Sequence, residues 1–173
     1  MYTNRMPEFI CGGDKYEVGG PKLDSIGLRV APVGLPPTIG AEGLTLKLKG
    51  HLHVTLVAIG KIIERHGVAN PNFKDTVMAD FCEFVRDNPI ELVRYRDEYR
   101  FMWQDERRSV VVMCDVSNLD TFYNQLNAKW GLQLEYPPTH VTLYSLDGNL
   151  GVFMVDSSDV QNFSKPIPAP VQL

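Results

Sequence analysis

The word His-Val-Thr-Leu occurs twice in the chain, at His53–Leu56 and at His140–Leu143, with the two histidines 87 positions apart. Side chains alternate sides along a β-strand, so each copy sets one imidazole and one hydroxyl on a single face. His53 and Thr55 point one way, with Val54 and Leu56 opposite. His140 and Thr142 are opposed in the same manner to Val141 and Leu143. Two such strands side by side would surround a small site with two histidines and two threonines, a set suited to phosphodiester chemistry. Imidazoles titrate near pH 6.5, so one can activate water while the other protonates the departing oxygen. The hydroxyls can donate to non-bridging phosphate oxygens, holding the group in line and offsetting developing charge.

One copy alone is ordinary strand sequence, and the expectation rests on the pair. Strand parity adds two secondary substrate contacts: His51 shares a face with His53, and Tyr144 shares one with Thr142, provided neither strand bulges. Tyr136, just before Pro137-Pro138, is a third, suited to stacking on a base. Zinc normally takes three or four His, Cys, Asp or Glu ligands, whereas the partners of these histidines are threonines. No metal and no cofactor are therefore expected. Arg96, Arg100, Arg107 and Arg108 read as solvated hairpin charges, and His66 has no role.

The elements that must position these residues follow from pattern. Residues 1–43 are punctuated by Gly12-Gly13, Gly19-Gly20-Pro21 and Pro36-Pro37, leaving room for a short strand at Ile26–Val30. Leu44, Leu46 and Leu48 alternate with Thr45, Lys47 and Lys49, as a half-buried strand would. Gly50 marks a bend before a strand over His51–Ile59. Asp75–Asp87 reads as an amphipathic helix, closed by Asn88-Pro89. Strands are expected at Ile90–Tyr95, Tyr99–Trp103 and Ser109–Val116, with Arg96-Asp97-Glu98 and Asp105–Arg108 as turns. A second helix spans Leu119–Trp130, capped by Ser117 or Asn118 and ended by Gly131. A last strand falls at Gly151–Val155, and Ser164–Leu173, with three prolines, is a tail.

At 173 residues, with 44% hydrophobic and 22% charged residues, the chain suits a single domain, or two small lobes sharing a core. No apolar run spans a bilayer, and Met1–Pro7 does not lead into a signal peptide. Cys11, Cys82 and Cys114 are widely spaced and odd in number. They read as buried or free thiols in a reducing cytoplasm. The net charge of −4 argues against binding long duplexes, which rests on many Lys/Arg–phosphate contacts. A small nucleotide or RNA end is the better partner, with no membrane and no obligate protein partner.

The two motifs resemble those of the 2H phosphoesterases, named for paired H-x-(S/T)-x words with a hydrophobic fourth residue. The resemblance covers residues 51–155 and includes the strand–helix–hairpin–strand–helix–strand order. It implies a bilobal α+β fold in which two pseudo-symmetric antiparallel sheets with flanking helices enclose a central groove. It also implies that His53, Thr55, His140 and Thr142 are catalytic, with acid and base roles set by substrate orientation. Members act on cyclic phosphates, 2′-5′-linked oligoadenylates and RNA ends, so the implied activity is that of a metal-independent phosphodiesterase. Two alternatives accompany it: a viral or phage enzyme degrading a cyclic oligonucleotide or 2′-5′ oligoadenylate immune signal, and a non-catalytic nucleotide-binding module.

Overall fold

The structure, a computed structural model, describes residues 8–173. The signal-peptide expectation at Met1–Pro7 lies outside them. The described residues form a mixed α+β fold with four helices and ten strands, antiparallel in the pairings defined below. Two compact units are each assembled from three separate segments of chain. The units are thus interleaved in sequence, rather than being its first and second halves.

The first unit comprises residues 1–29, 55–91 and 117–136. Strands β1 (Glu8–Ile10), β2 (Tyr16–Gly19) and β3 (Ser25–Arg29) pair in order, and β3 neighbours β6 (His53–Val57). So residues 1–43 are more regular than expected, since β4 (Thr38–Ala41) also lies in them. Helices α1 (Ile59–His66), α2 (Phe73–Asp87) and α3 (Leu119–Trp130) supply the rest of this unit. The α2 stripe buries Val77, Phe81 and Val85, and the α3 stripe buries Leu119, Phe122 and Leu126. Phe81 meets Phe122 edge-on, with ring centroids 5.4 Å apart, and Tyr16 on its other side at 5.2 Å. Such edge contacts favour aromatic packing beyond the area buried. Gly131 ends α3 in the left-handed region at φ 64°, and its N–H returns to Asn127. Asn118 sits at the expected N-cap position, but its amide donates to the Pro89 carbonyl instead of capping the helix.

Cys11 and Cys82 form a disulfide, with Cα atoms 5.1 Å apart. This corrects the reading of all three cysteines as thiols. Cys11 lies in the β1–β2 turn and Cys82 on α2, 71 residues later, a distance over which local pattern carries no pairing signal. Cys114 is buried and free, and burial pushes its thiol up to about 12, so it is unreactive.

The second unit comprises residues 30–54, 92–116 and 137–173. Its sheet runs from the start of β6 through β9 (His140–Ser145), β8 (Arg107–Val116) and β7 (Leu92–Gln104) to β10 (Ser164–Ile167). The hairpin of β4 and β5 (Leu44–Leu48) joins through β5 to β9. Helix α4 (Ser157–Phe163) is capped by Asp156, whose side chain accepts from the N–H groups of Ser158 and Asp159. Met102, Val111, Met113, Val152 and Met154 form one buried cluster of this unit.

Several expected boundaries differ. Arg96-Asp97-Glu98 is not a turn. β7 runs through it, with an irregularity in its pairing to β8 between Tyr95 and Tyr99. Neighbouring strands satisfy those charges, since Arg94 and Arg96 both reach Asp115. The stretch expected as a strand to Ile59 stops at Val57, where α1 begins two residues later. Gly151–Val155 buries Val152 and Met154 without joining a ladder, and the expected tail contributes β10. Among the described residues, no helix is long and apolar enough to cross a membrane.

Candidate functional site

Strands β6 and β9 pair antiparallel with Val54 opposite Val141, both fully buried. One step along, this register sets His53 across from Thr142, the spacing at which cross-strand side chains interact. The period-two pattern holds at both motifs: Val54, Leu56, Val141 and Leu143 are fully buried, while His53, Thr55 and Thr142 are half-buried. His140 is more enclosed, at 8% exposure. Thr55 falls in the first unit, because the division between units passes through β6 after Val54. The second unit therefore gathers His53, His140 and Thr142.

The His140 ring is held by its own strand entry. Its Nδ1 lies 2.8 Å from the Pro138 carbonyl oxygen, which can only accept, so Nδ1–H donates. In the neutral ring this leaves Nε2 with the lone pair, the state required of a base. His51 stacks on His53 with centroids 5.5 Å apart and planes 29° from parallel, which brings this secondary candidate into the site.

Lys49 is the component the sequence did not single out. Its backbone N–H donates to the Leu143 carbonyl at 2.9 Å, tying it to the second motif. Its ammonium donates to the Asn149 carbonyl at 2.8 Å. That carbonyl belongs to a loop organised by Asp147, whose Oδ1 accepts from the N–H groups of Asn149 and Leu150. Burial would raise the Asp147 carboxyl, but these hydrogen bonds hold it low. Further along, Gly151 leaves space beside the site: a Cβ there would lie 3.4 Å from Thr142 Oγ1 and 3.5 Å from Lys49 Nζ. Arg107 borders the same loop, donating to the Gly151 carbonyl at 3.4 Å. The available signal for Lys49 was its place on the polar side of the Leu44–Leu48 alternation, which many solvated lysines share.

Electrostatics follow from this crowding of cations and potential cations. Burial pushes His53 down to about 3, reinforced by Lys49, His51 and His140. His140 is also held below its ordinary value, first by burial and then by Lys49, with the Pro138 hydrogen bond acting in the opposite sense. Burial lowers the Lys49 ammonium, and Asp147 counters it. At neutral pH the site thus holds two neutral imidazoles beside a cation, an arrangement that an incoming anion would relieve.

The lowered histidines make folding stability depend on pH. Their unfolded forms titrate near 6.5 and bind protons that the folded forms refuse. Their contribution is therefore intact above about 6.5 and is lost as pH falls below it, for His53 down to about 3, with a slope of up to about 1.4 kcal/mol per unit per group. Thermal melts between pH 7 and 4.5 should show a steeper loss in the native protein than in His53→Gln. Parallel curves would contradict the burial of a neutral His53.

Tyr144 and Tyr136 are held by other contacts. Thr142 pairs with Val111 and Tyr144 with the adjacent Val110, so β9 carries an extra residue at this point and parity no longer links the two. Tyr144 is fully buried and its hydroxyl donates to the Pro36 carbonyl at 2.9 Å, which makes it a core residue rather than a substrate contact. Tyr136 lies in the first unit, its ring 6.4 Å from that of Tyr123. Arg100 donates to the Ser164 hydroxyl, and Arg108 to the Asp105 and Arg107 carbonyls. In the second unit His51 and His53 are the pair with metal-ligand character. Comparisons with protein-family models, curated proteins and solved structures found no match.

Proposed function

We propose that this chain is a metal-independent 2H phosphoesterase that hydrolyses a cyclic phosphate, a 2′-5′-linked nucleotide or an RNA end. The observation that carries this reading is the meeting of His53, His140 and Thr142 in one unit, with both imidazoles held neutral beside Lys49. An uncharged imidazole is ready as a base, and a bound phosphate would restore to the pair the proton affinity that burial and Lys49 remove. One histidine then draws a proton from water as it attacks phosphorus, and the other, protonated, gives one to the departing ribose oxygen. Thr142 donates to a non-bridging oxygen.

This reading carries the family's layout of two pseudo-symmetric lobes about a groove, with a small nucleotide as partner. Within it, destruction of a cyclic or 2′-5′-linked immune signal is a matter of substrate, and a purely binding module would need only one of the two His–Thr pairs. Cytoplasm is the compartment that goes with such substrates. The thiol argument for it no longer applies, because Cys11 and Cys82 are bridged.

The test is incubation with a panel of 2′,3′-cyclic, 3′,5′-cyclic and 2′-5′-linked nucleotides in EDTA, followed by chromatography of the products. Hydrolysis of at least one class is expected. Turnover that disappears in EDTA and returns with zinc would assign a metal site instead. Binding without cleavage across the panel would assign a binding module.

A further inference from the structure

Lys49 lies outside both motifs, yet three independent features tie it to them. Its main chain is bonded to Leu143 within the second motif, and its ammonium is fixed by the Asn149 carbonyl 100 residues away. Its Nζ and Thr142 Oγ1 also converge on Gly151, where a Cβ would lie 3.5 Å from the one and 3.4 Å from the other. The half-buried lysine places one of its three N–H donors on Asn149. Burying an ammonium is costly unless an anion or several acceptors compensate it. The Asp147 charge offsets this cost in part, while its Oδ1 is engaged by the loop N–H groups and the Ser145 hydroxyl, and burial still outweighs it at Lys49.

We propose that Lys49 Nζ and Thr142 Oγ1, across the bare Cα of Gly151, form the cradle for a non-bridging phosphate oxygen of a singly charged phosphodiester. The proposal deepens the phosphoesterase reading and rests on it for the identity of the anion. Lys49 supplies the charge and Thr142 the directional hydrogen bond, while glycine at 151 adds no side chain to crowd the two groups. Lys49 is then a binding residue whose positive charge also keeps the neighbouring imidazoles unprotonated until the phosphate arrives. A ligand lacking phosphate charge, such as a methylphosphonate diester, would bind without this contribution.

The probe is inorganic phosphate, titrated into the full chain and followed by the histidine ring signals in nitrogen-edited NMR. In the native protein phosphate should shift the His53 and His140 signals. Lys49→Met should weaken phosphate about ten- to hundredfold, the range for a hydrogen bond to a charged group, and Lys49→Arg should retain most of it. Gly151→Ala is the second variant. Its φ is not left-handed, and the new methyl would sit 3.3 to 3.5 Å from Thr142 and Lys49, so it should fold and still exclude phosphate. With a turned-over substrate, Lys49→Met should raise KM more than it lowers kcat. Unchanged phosphate affinity in both Lys49→Met and Gly151→Ala would overturn the cradle, even if turnover confirms the phosphoesterase reading. Lys49-dependent phosphate binding without turnover of any diester would uphold the cradle and sink the phosphoesterase reading.

Discussion

His140→Ala is expected to lower turnover of the competent nucleotide by about 10²- to 10⁴-fold, and His53→Ala by a similar factor. On the proposed mechanism each substitution removes a proton carrier that water replaces poorly, because the remaining groups cannot hold a proton at the same point. His140 is already set in one tautomer by the Pro138 carbonyl, so its loss also removes a prearranged lone pair at Nε2. The double variant should be little worse than either single one, as expected for groups that act as a unit. On the same reading the native protein should show a further mark. The free pair must bind one proton to react, and both histidines lie below their ordinary value. The optimum of kcat/KM should therefore fall on the acid side of 6.5, with activity declining above it. Initial rates of the four proteins between pH 4.5 and 8.5 measure both effects. Undiminished rates in the two single variants would remove the histidines from the chemistry.

The second large effect concerns the first unit. Opening the Cys11–Cys82 bridge should cost about 4 kcal/mol, the loop-closure value for a link across 71 residues. The melting temperature of Cys82→Ser, or of native protein in dithiothreitol, should fall by about 10 °C. Cys11 gives a structural reason for dependence on the bridge. It holds a left-handed backbone at φ 65°, which costs a non-glycine residue about 1–2 kcal/mol and needs external support. Cys114→Ser leaves the bridge alone and serves as the control. Equal melting curves with and without reductant would show that the bridge contributes nothing to stability.

The parts of the fold legible in sequence were those governed by local periodicity. α2 and α3 appear where apolar residues recur at helical spacing, and α3 matches its expected bounds because Gly131 gives an unambiguous stop. α1 was missed since it follows β6 almost directly and buries just Ile59 and Ile62. α4 was missed for a different reason: it rests on the Asp156 cap, and its one fully buried residue is Asp159. The polar run Arg96-Asp97-Glu98 imitated a turn because its charges are satisfied by Asp115 on the adjacent strand and by one another. Strand parity matches the stacking of His51 on His53 and the placing of His53 across from Thr142, and it fails at Tyr144, where one extra residue in β9 breaks the alternation.

By itself, then, the sequence determined that two His–Thr pairs would lie on strands with their apolar neighbours buried, because a period of two is written in adjacent residues. Tertiary structure alone decided what surrounds them. Lys49 meets Asn149 across 100 positions, Tyr144 meets Pro36 across 108, and Cys11 meets Cys82 across 71. Each of these depends on which strands and helices become neighbours. That choice follows from burial of the whole apolar set, not from the residues that make the contact.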